Sequence, residues 1–252
     1  MQQNEGLGPE LLQEFISLYG GFIVSRNVNE GKKVTYSFRE KSSIPNLNGW
    51  TLLADEDGND CFDDPNNFTV VGMQTILRVA PVMMALFDAP YGIELAWIYQ
   101  NNEHTGFYDV VRQCSTDMEH ILCGGPIVQE NLMSAQEGFA AEYGMFLVTR
   151  NVLQGEPVAL SVREQQEPDV LNGWTLYAAQ DDPRATPAAD LLCVPVQKLL
   201  EIAPVMAAIA HAPYGTCLRW MYENGLCTAL YDEKSGRRFT LHEIIAQSNA
   251  SK

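Results

Sequence analysis

Basic residues are scarce in this chain: its 252 residues hold 16 Lys and Arg against 32 Asp and Glu, a formal charge of −16. That surplus of negative charge, with a pI near 4.5, argues against nucleic acid or an anionic membrane as a partner and favours a basic one. Long apolar runs are missing too, so no segment reads as a membrane span. The start, Met1-Gln2-Gln3-Asn4-Glu5-Gly6, has neither the basic nor the apolar region of a signal peptide, and a cytoplasmic location is expected. Histidine occurs four times. There is no Gly-x-Ser-x-Gly elbow, no phosphate-cradling P-loop, no His-Glu-x-x-His and no Cys-x-x-Cys, which removes the usual signatures of hydrolases, nucleotide enzymes and zinc sites. No cofactor and no metal is expected.

What the chain does have is a duplication. Tyr19-Gly20-Gly21-Phe22-Ile23-Val24-Ser25-Arg26-Asn27-Val28 returns as Tyr143-Gly144-Met145-Phe146-Leu147-Val148-Thr149-Arg150-Asn151-Val152, about 124 positions later. Arg39-Glu40 answers Arg163-Glu164, and Leu47-Asn48-Gly49-Trp50-Thr51-Leu52 answers Leu171-Asn172-Gly173-Trp174-Thr175-Leu176. One residue is then lost before Ala80-Pro81-Val82-Met83 meets Ala203-Pro204-Val205-Met206. A period this long exceeds solenoid repeats and fits a whole small domain. Two homologous tandem lobes are therefore expected, residues 1–125 and residues 126–252. With 46% hydrophobic residues each can bury a core. The six cysteines fall where the other copy has other residues, so they read as reduced packing residues.

Within a lobe, Leu11, Leu12, Phe15, Ile16 and Tyr19 recur at helical spacing, with a weaker copy from Ser134 to Tyr143. Phe22–Val28 and the alternating Val34–Phe38 read as a hairpin, and Asn48-Gly49 as a turn that launches a strand at Trp50. Met73–Asp88 has a helical apolar face with Pro81 inside it, which predicts a kink or break. Glu94–Tyr99 and Gly106–Val111 read as two closing strands around Asn101-Asn102. Each lobe is thus expected to be α+β, a mainly antiparallel sheet covered by helices.

The retained residues are scaffold types: Trp50 and Trp174 read as core rings, and Arg39 and Arg163 as structural charges at strand ends. No histidine is shared, since His104 aligns with Cys227 and His211 with Asp88. No catalytic residue is predicted. The changed residues lie in an acidic loop, Ala54 to Pro65 in the first copy, eroded to Ala179-Gln180-Asp181-Asp182-Pro183-Arg184 in the second. Seventeen carboxylates face seven Lys and Arg up to Gly125, and fifteen face nine after it, about −10 against about −6. As a calcium loop the stretch fails, because Asp60 stands where an EF-hand needs glycine and Asn66 where it needs a bidentate glutamate. It reads as either a solvated loop or a docking surface for a basic protein. In the docking reading Asp55, Glu56, Asp57, Asp60, Asp63 and Asp64 supply charge, with Asp181 and Asp182 in the second copy and Phe62 as an apolar anchor.

A strand ending in Val-Ser/Thr-Arg-Asn-Val, a strand closing in Arg-Glu, then Asn-Gly-Trp, an acidic loop and a helix with Ile-Leu or Leu-Leu before its proline resembles immunity protein family 33, in two tandem copies. The resemblance implies a non-enzymatic protein that binds a cognate antibacterial toxin with a basic active-site cleft and occludes it. The toxin class it implies is an ADP-ribosyltransferase or a nuclease of a polymorphic or type VI secretion system. The alternatives are an effector adaptor or chaperone, and a hydrolase that reverses the toxin's modification. In the second copy Glu156-Pro157 replaces Lys32-Lys33, which separates the two lobes' surfaces.

Overall fold

The computed structural model describes residues 7–123 and 133–250, and the expected division at 125 lies outside them. In chain order the elements begin with α1 (Pro9–Tyr19), β1 (Gly21–Ser25), α2 (Arg26–Asn29), β2 (Val34–Arg39) and β3 (Leu47–Ala54). After the acidic loop come β4 (Phe68–Val71), α3 (Met73–Val79), α4 (Met83–Leu86), β5 (Glu94–Gln100), β6 (Glu103–Asp109), β7 (Cys114–Thr116) and α5 (Met118–Cys123). The series then repeats: α6 (Ala135–Tyr143), β8 (Met145–Thr149), α7 (Arg150–Leu153), β9 (Val158–Arg163) and β10 (Leu171–Ala178). It closes with β11 (Leu191–Pro195), α8 (Val196–Ile202), α9 (Met206–Ile209), β12 (Cys217–Glu223), β13 (Leu226–Asp232), β14 (Arg238–Phe239) and α10 (Leu241–Ala250).

Two seven-stranded sheets result, ordered β4-β1-β3-β2-β5-β6-β7 and β11-β8-β10-β9-β12-β13-β14. The architecture is two α+β lobes of mainly antiparallel strands with one parallel pair each, β1 with β3 and β8 with β10. The expected first hairpin is therefore incorrect. β1 and β2 do not pair, because β3 lies between them, parallel to β1 and antiparallel to β2. The local cause is α2: the Ser25 hydroxyl accepts from Val28 N, a helical turn opens where a tight hairpin turn would have to close, and the chain leaves β1 without reversing onto it. Thr149 does the same for α7. The second expected hairpin forms, β5 on β6, with Asn101 and Asn102 both at positive φ as a short turn requires. The apolar helix breaks at Ala80-Pro81 into α3 and α4, and its copy breaks at Ala203-Pro204.

Register places Phe22, Val24, Trp50, Leu52, Leu95, Trp97 and Phe107 on one face of the first sheet, and all are buried. Helices cover that face. Trp50 is fully buried and its indole N–H donates to the Phe87 carbonyl at 3.2 Å, while Trp174 donates to the Ala210 carbonyl at 2.9 Å. On the same face Trp97 donates to the buried Ser37 hydroxyl and Trp220 to Ser161, each at 2.9 Å. Burying a hydroxyl is tolerable only with such a partner, which ties Ser37 and Ser161 to their indoles.

The retained Asn-Gly-Trp fastens the point where the chain enters each sheet. Asn48 Nδ2 donates to the Tyr19 carbonyl and Asn172 Nδ2 to that of Tyr143, capping the last residues of α1 and α6. Gly49 sits at φ +90, where a Cβ would collide with the Glu40 carbonyl oxygen, so no other residue fits.

Packing and repeat order do not coincide. The chain divides into one compact unit of Tyr19–Glu142 and another of Met1–Leu18 with Tyr143–Lys252. Helix α1 packs in the unit of the second sheet: Gly8 N donates to the Cys227 carbonyl, Arg238 pairs with Glu10 and Glu14, and Leu241 N donates to Glu14. Helix α6 packs in the unit of the first sheet, with Gly138 against Met118. Each unit thus takes the helix that opens the other copy.

Candidate functional site

The loop after β3 is held by one carboxylate. Asp57 accepts from Asn27 Nδ2 and from Ala54 N, both at 2.7 Å, and contacts Ser25 and Cys61. Asp181, 124 positions on, accepts from Thr149 Oγ1 at 2.5 Å, Asn151 Nδ2 at 2.6 Å and Ala178 N at 2.8 Å. Burial would raise each carboxyl's pKa, but these donors more than offset it and hold both below the usual carboxylate range. The Ser/Thr-x-Asn of the repeat exists to grip this aspartate, a role visible in the sequence as a shared offset and missed by reading the loops only for net charge.

The other predicted charges lie outside that grip. Asp55, Asp60, Asp63 and Asp64 are exposed; Asp64 also caps a short turn by accepting from Asn66 N at 2.9 Å. Glu56 pairs with Lys32 at 3.0 Å. Asp182, also exposed, accepts from Arg184 N. Phe62 is 54% exposed yet lies on the sheet: its ring centroid is 5.3 Å from Phe68 on β4 and 6.3 Å from Phe38 on β2, and Phe38 is 6.2 Å from Tyr36. Register puts Tyr36, Phe38, Phe68 and Val70 on the face opposite the helices. Sequence reasoning missed these four; the alternation of β2 exposes two of them, and the unassigned β4 carries the others. Tyr36 donates to Glu94 at 2.7 Å, and burial and that carboxylate push its phenol up to about 12.

The same face of the second sheet is built differently. Leu160 and Val162 stand for Tyr36 and Phe38, Leu191 for Phe68 and Cys193 for Val70. Arg219 replaces Ala96 and makes a two-pronged bond to Glu233 at 2.6 and 2.7 Å, beside a shallow hollow of about 190 Å³ that includes Met221 and Tyr231.

Arg39 and Arg163 fill one role in both lobes. Each guanidinium lies over an exposed tyrosine ring, Tyr91 at 4.6 Å and Tyr214 at 4.8 Å, and donates to the carbonyls of Asn48 and Ala89, or of Asn172 and Ala212. The arginine thus ties the Asn-Gly-Trp turn to the Ala-Pro-Tyr-Gly loop. A hollow of about 520 Å³ beside Lys32, Lys33 and Arg78 is basic, whereas Glu156, Pro157 and Glu201 occupy those positions in the second copy.

Among the described residues no group of three or more His, Cys, Asp or Glu is placed to hold a metal ion, and no helix is long and apolar enough to cross a membrane. His104 is packed among Trp97, Phe107 and Tyr99, and its N–H donates to the Gly106 carbonyl; burial lowers its pKa to about 4. His120 pairs with Asp117 at 2.6 Å, on the residue that precedes α5. Both imidazoles are taken up by the packing and capping of the first lobe.

The molecule is therefore a two-lobed α+β repeat protein whose copies share their cores and differ on their uncovered sheet faces. Residues 22–111, within the first lobe, match the family model described as the Immunity protein Imm33 domain. No curated protein and no solved structure matches the chain.

Proposed function

We propose that this protein is a non-enzymatic immunity protein that binds a cognate antibacterial toxin and neutralises it by covering its active site. The match of residues 22–111 to the Immunity protein Imm33 domain carries the reading. Charge supports it: a −16 surface is steered towards, and can desolvate, the positive clefts of enzymes that act on nucleic acid or on anionic dinucleotides. The target class is accordingly a nuclease or an ADP-ribosyltransferase delivered by a polymorphic or type VI system, met in the cytoplasm. Asp55, Asp60, Asp63 and Asp64, with Glu56 and Phe62, form the first lobe's docking surface. Asp57 organises that loop from within, and Asp181 with Asp182 does so in the second lobe.

The test is a titration of the purified toxin domain encoded beside this gene. Inhibition that ends at one immunity protein per toxin is the expected result. Substoichiometric rescue would mean an enzyme that reverses the toxin's modification, and a stable complex with an active toxin would mean an adaptor or chaperone.

A further inference from the structure

Resting on the immunity reading, we propose that the uncovered face of the first sheet, floored by Tyr36, Phe38, Phe62 and Phe68, is the surface that grips the toxin. Its occupant is an arginine- or lysine-bearing segment at the toxin's active-site rim. The four rings form one run from β2 to the edge strand β4, with successive centroids 6.2, 6.3 and 5.3 Å apart. Aromatic faces attract cations within about 6 Å of a ring centroid, most of all when the pair is desolvated. Phe62 and Val70 remain 54% and 59% exposed on this face, an apolar surface that a partner can cover. Exposed Asp60 and Asp63 flank Phe62 in sequence and select a cationic occupant over an anionic one.

The second lobe shows that the fold does not need these rings. It builds the same sheet with Leu160, Val162 and Leu191 in their places, and it supplies a cation of its own, Arg219, already closed on Glu233. The aromatic run is thus a property of one surface rather than of the scaffold. Gripping is assigned to the first lobe alone.

Two arms test this on the full-length protein. In the first, Tyr36→Leu, Phe38→Val and Phe68→Leu are combined, giving the first lobe the residues of the second; Phe62→Ala is made separately, since that exposed ring contributes little to folding. Affinity for the toxin domain encoded beside the gene should fall at least tenfold in each variant. The reverse variant, Leu160→Tyr with Val162→Phe and Leu191→Phe, should stay within twofold. A wild type that inhibits, with Phe62→Ala and the triple variant binding equally well, overturns the face and leaves the immunity reading standing. A wild type that does not inhibit overturns that reading itself.

The second arm needs no toxin. The pentapeptide acetyl-Gly-Arg-Gly-Arg-Gly-amide is titrated into protein carrying ¹³C-labelled phenylalanine. Shifts concentrated in Phe38, Phe62 and Phe68 support the assignment, and shifts spread evenly over the ten phenylalanines, or centred on Phe239, overturn it.

Discussion

The two lobes hold the same skeleton and wear different faces, and the boundary between what was kept and what changed is physical. Kept are groups whose loss would strand a buried polar atom or empty a core: Trp50 and Trp174, the Ser37–Trp97 and Ser161–Trp220 pairs, and the aspartates gripped by Asn27 and Asn151. Changed are side chains that point from the sheet to solvent, where Phe38 became Val162 and Ala96 became Arg219. A substitution on that face costs the fold little, whereas an unpaired buried hydroxyl or carboxylate costs about 1–3 kcal/mol. Duplication thus left each lobe's uncovered surface free to diverge while these paired groups of the interior stayed fixed.

The largest test breaks the comparison at its helices. Because α6 packs in the unit of the first sheet, residues 19–142 should fold as a separate domain with one cooperative thermal transition. Residues 1–125, cut by the repeat instead, lack α6 and with it Phe139, which is 2% exposed in the intact chain. Losing a buried phenylalanine alone costs about 3–5 kcal/mol, and losing its helix costs more than a marginal domain can spare. A cooperative melt of 1–125 with native-like amide exchange protection would show that α1 can serve its own copy and that the exchange of helices is dispensable.

A second test uses a position where the copies differ inside the sheet. His104 and Cys227 occupy one site, the imidazole lowered to about 4 by burial and the thiol pushed up to about 12 by the same cause. A depressed histidine contributes stability that is present above its unfolded pKa, near 6.5, and is lost as pH falls through the folded value. The first lobe should therefore lose at most about 3 kcal/mol between pH 6.5 and pH 4, a window in which Cys227 stays neutral. His104→Cys should abolish that loss. Denaturant melts at pH 7 and pH 4.5, with Trp97 beside His104 as the fluorescent reporter, measure it; an unchanged acid response in the variant would assign the effect to the carboxylates.

Much of the scaffold was legible in the sequence because duplication compares the chain with itself. An offset of 124 marks the first strands and the Asn-Gly-Trp turn twice over, and one of 123 the proline break, so each reading had an internal check. The strand order was not legible: Phe22–Val28 followed by Val34–Phe38 has the pattern of a hairpin, and only the one-turn helix at Arg26–Asn29 and the parallel fit of β3 against β1 undo it. Nor was the exchange of α1 and α6, since both helices carry the same apolar spacing and nothing local says which sheet they meet. At the loop, charge was visible but its division of labour was not. Asp57 ties the loop back to the sheet through Asn27 on α2 and the end of β3, whereas Asp64 only caps its own turn, and sequence distance alone cannot tell the two apart.

That division supports the last and smallest test. Asp57 and Asp181 make equivalent sets of hydrogen bonds, so Asp57→Ala and Asp181→Ala should each cost about 2 kcal/mol, read as a matched drop in the two lobes' melting. Both carboxyls are held below their ordinary range, so this contribution is present above an unfolded pKa of about 4 and is lost as pH falls through the lowered value. Binding should not follow stability. Asp57 roots the loop that lays Phe62 across Phe38 and Phe68, so its loss frees that ring, whereas Asp181 roots a loop with alanine and threonine there. Toxin affinity should fall severalfold for Asp57→Ala and hold for Asp181→Ala at equal stability. Equal losses of affinity would mean that both lobes touch the partner, and the difference between their faces would then reflect two halves of one footprint.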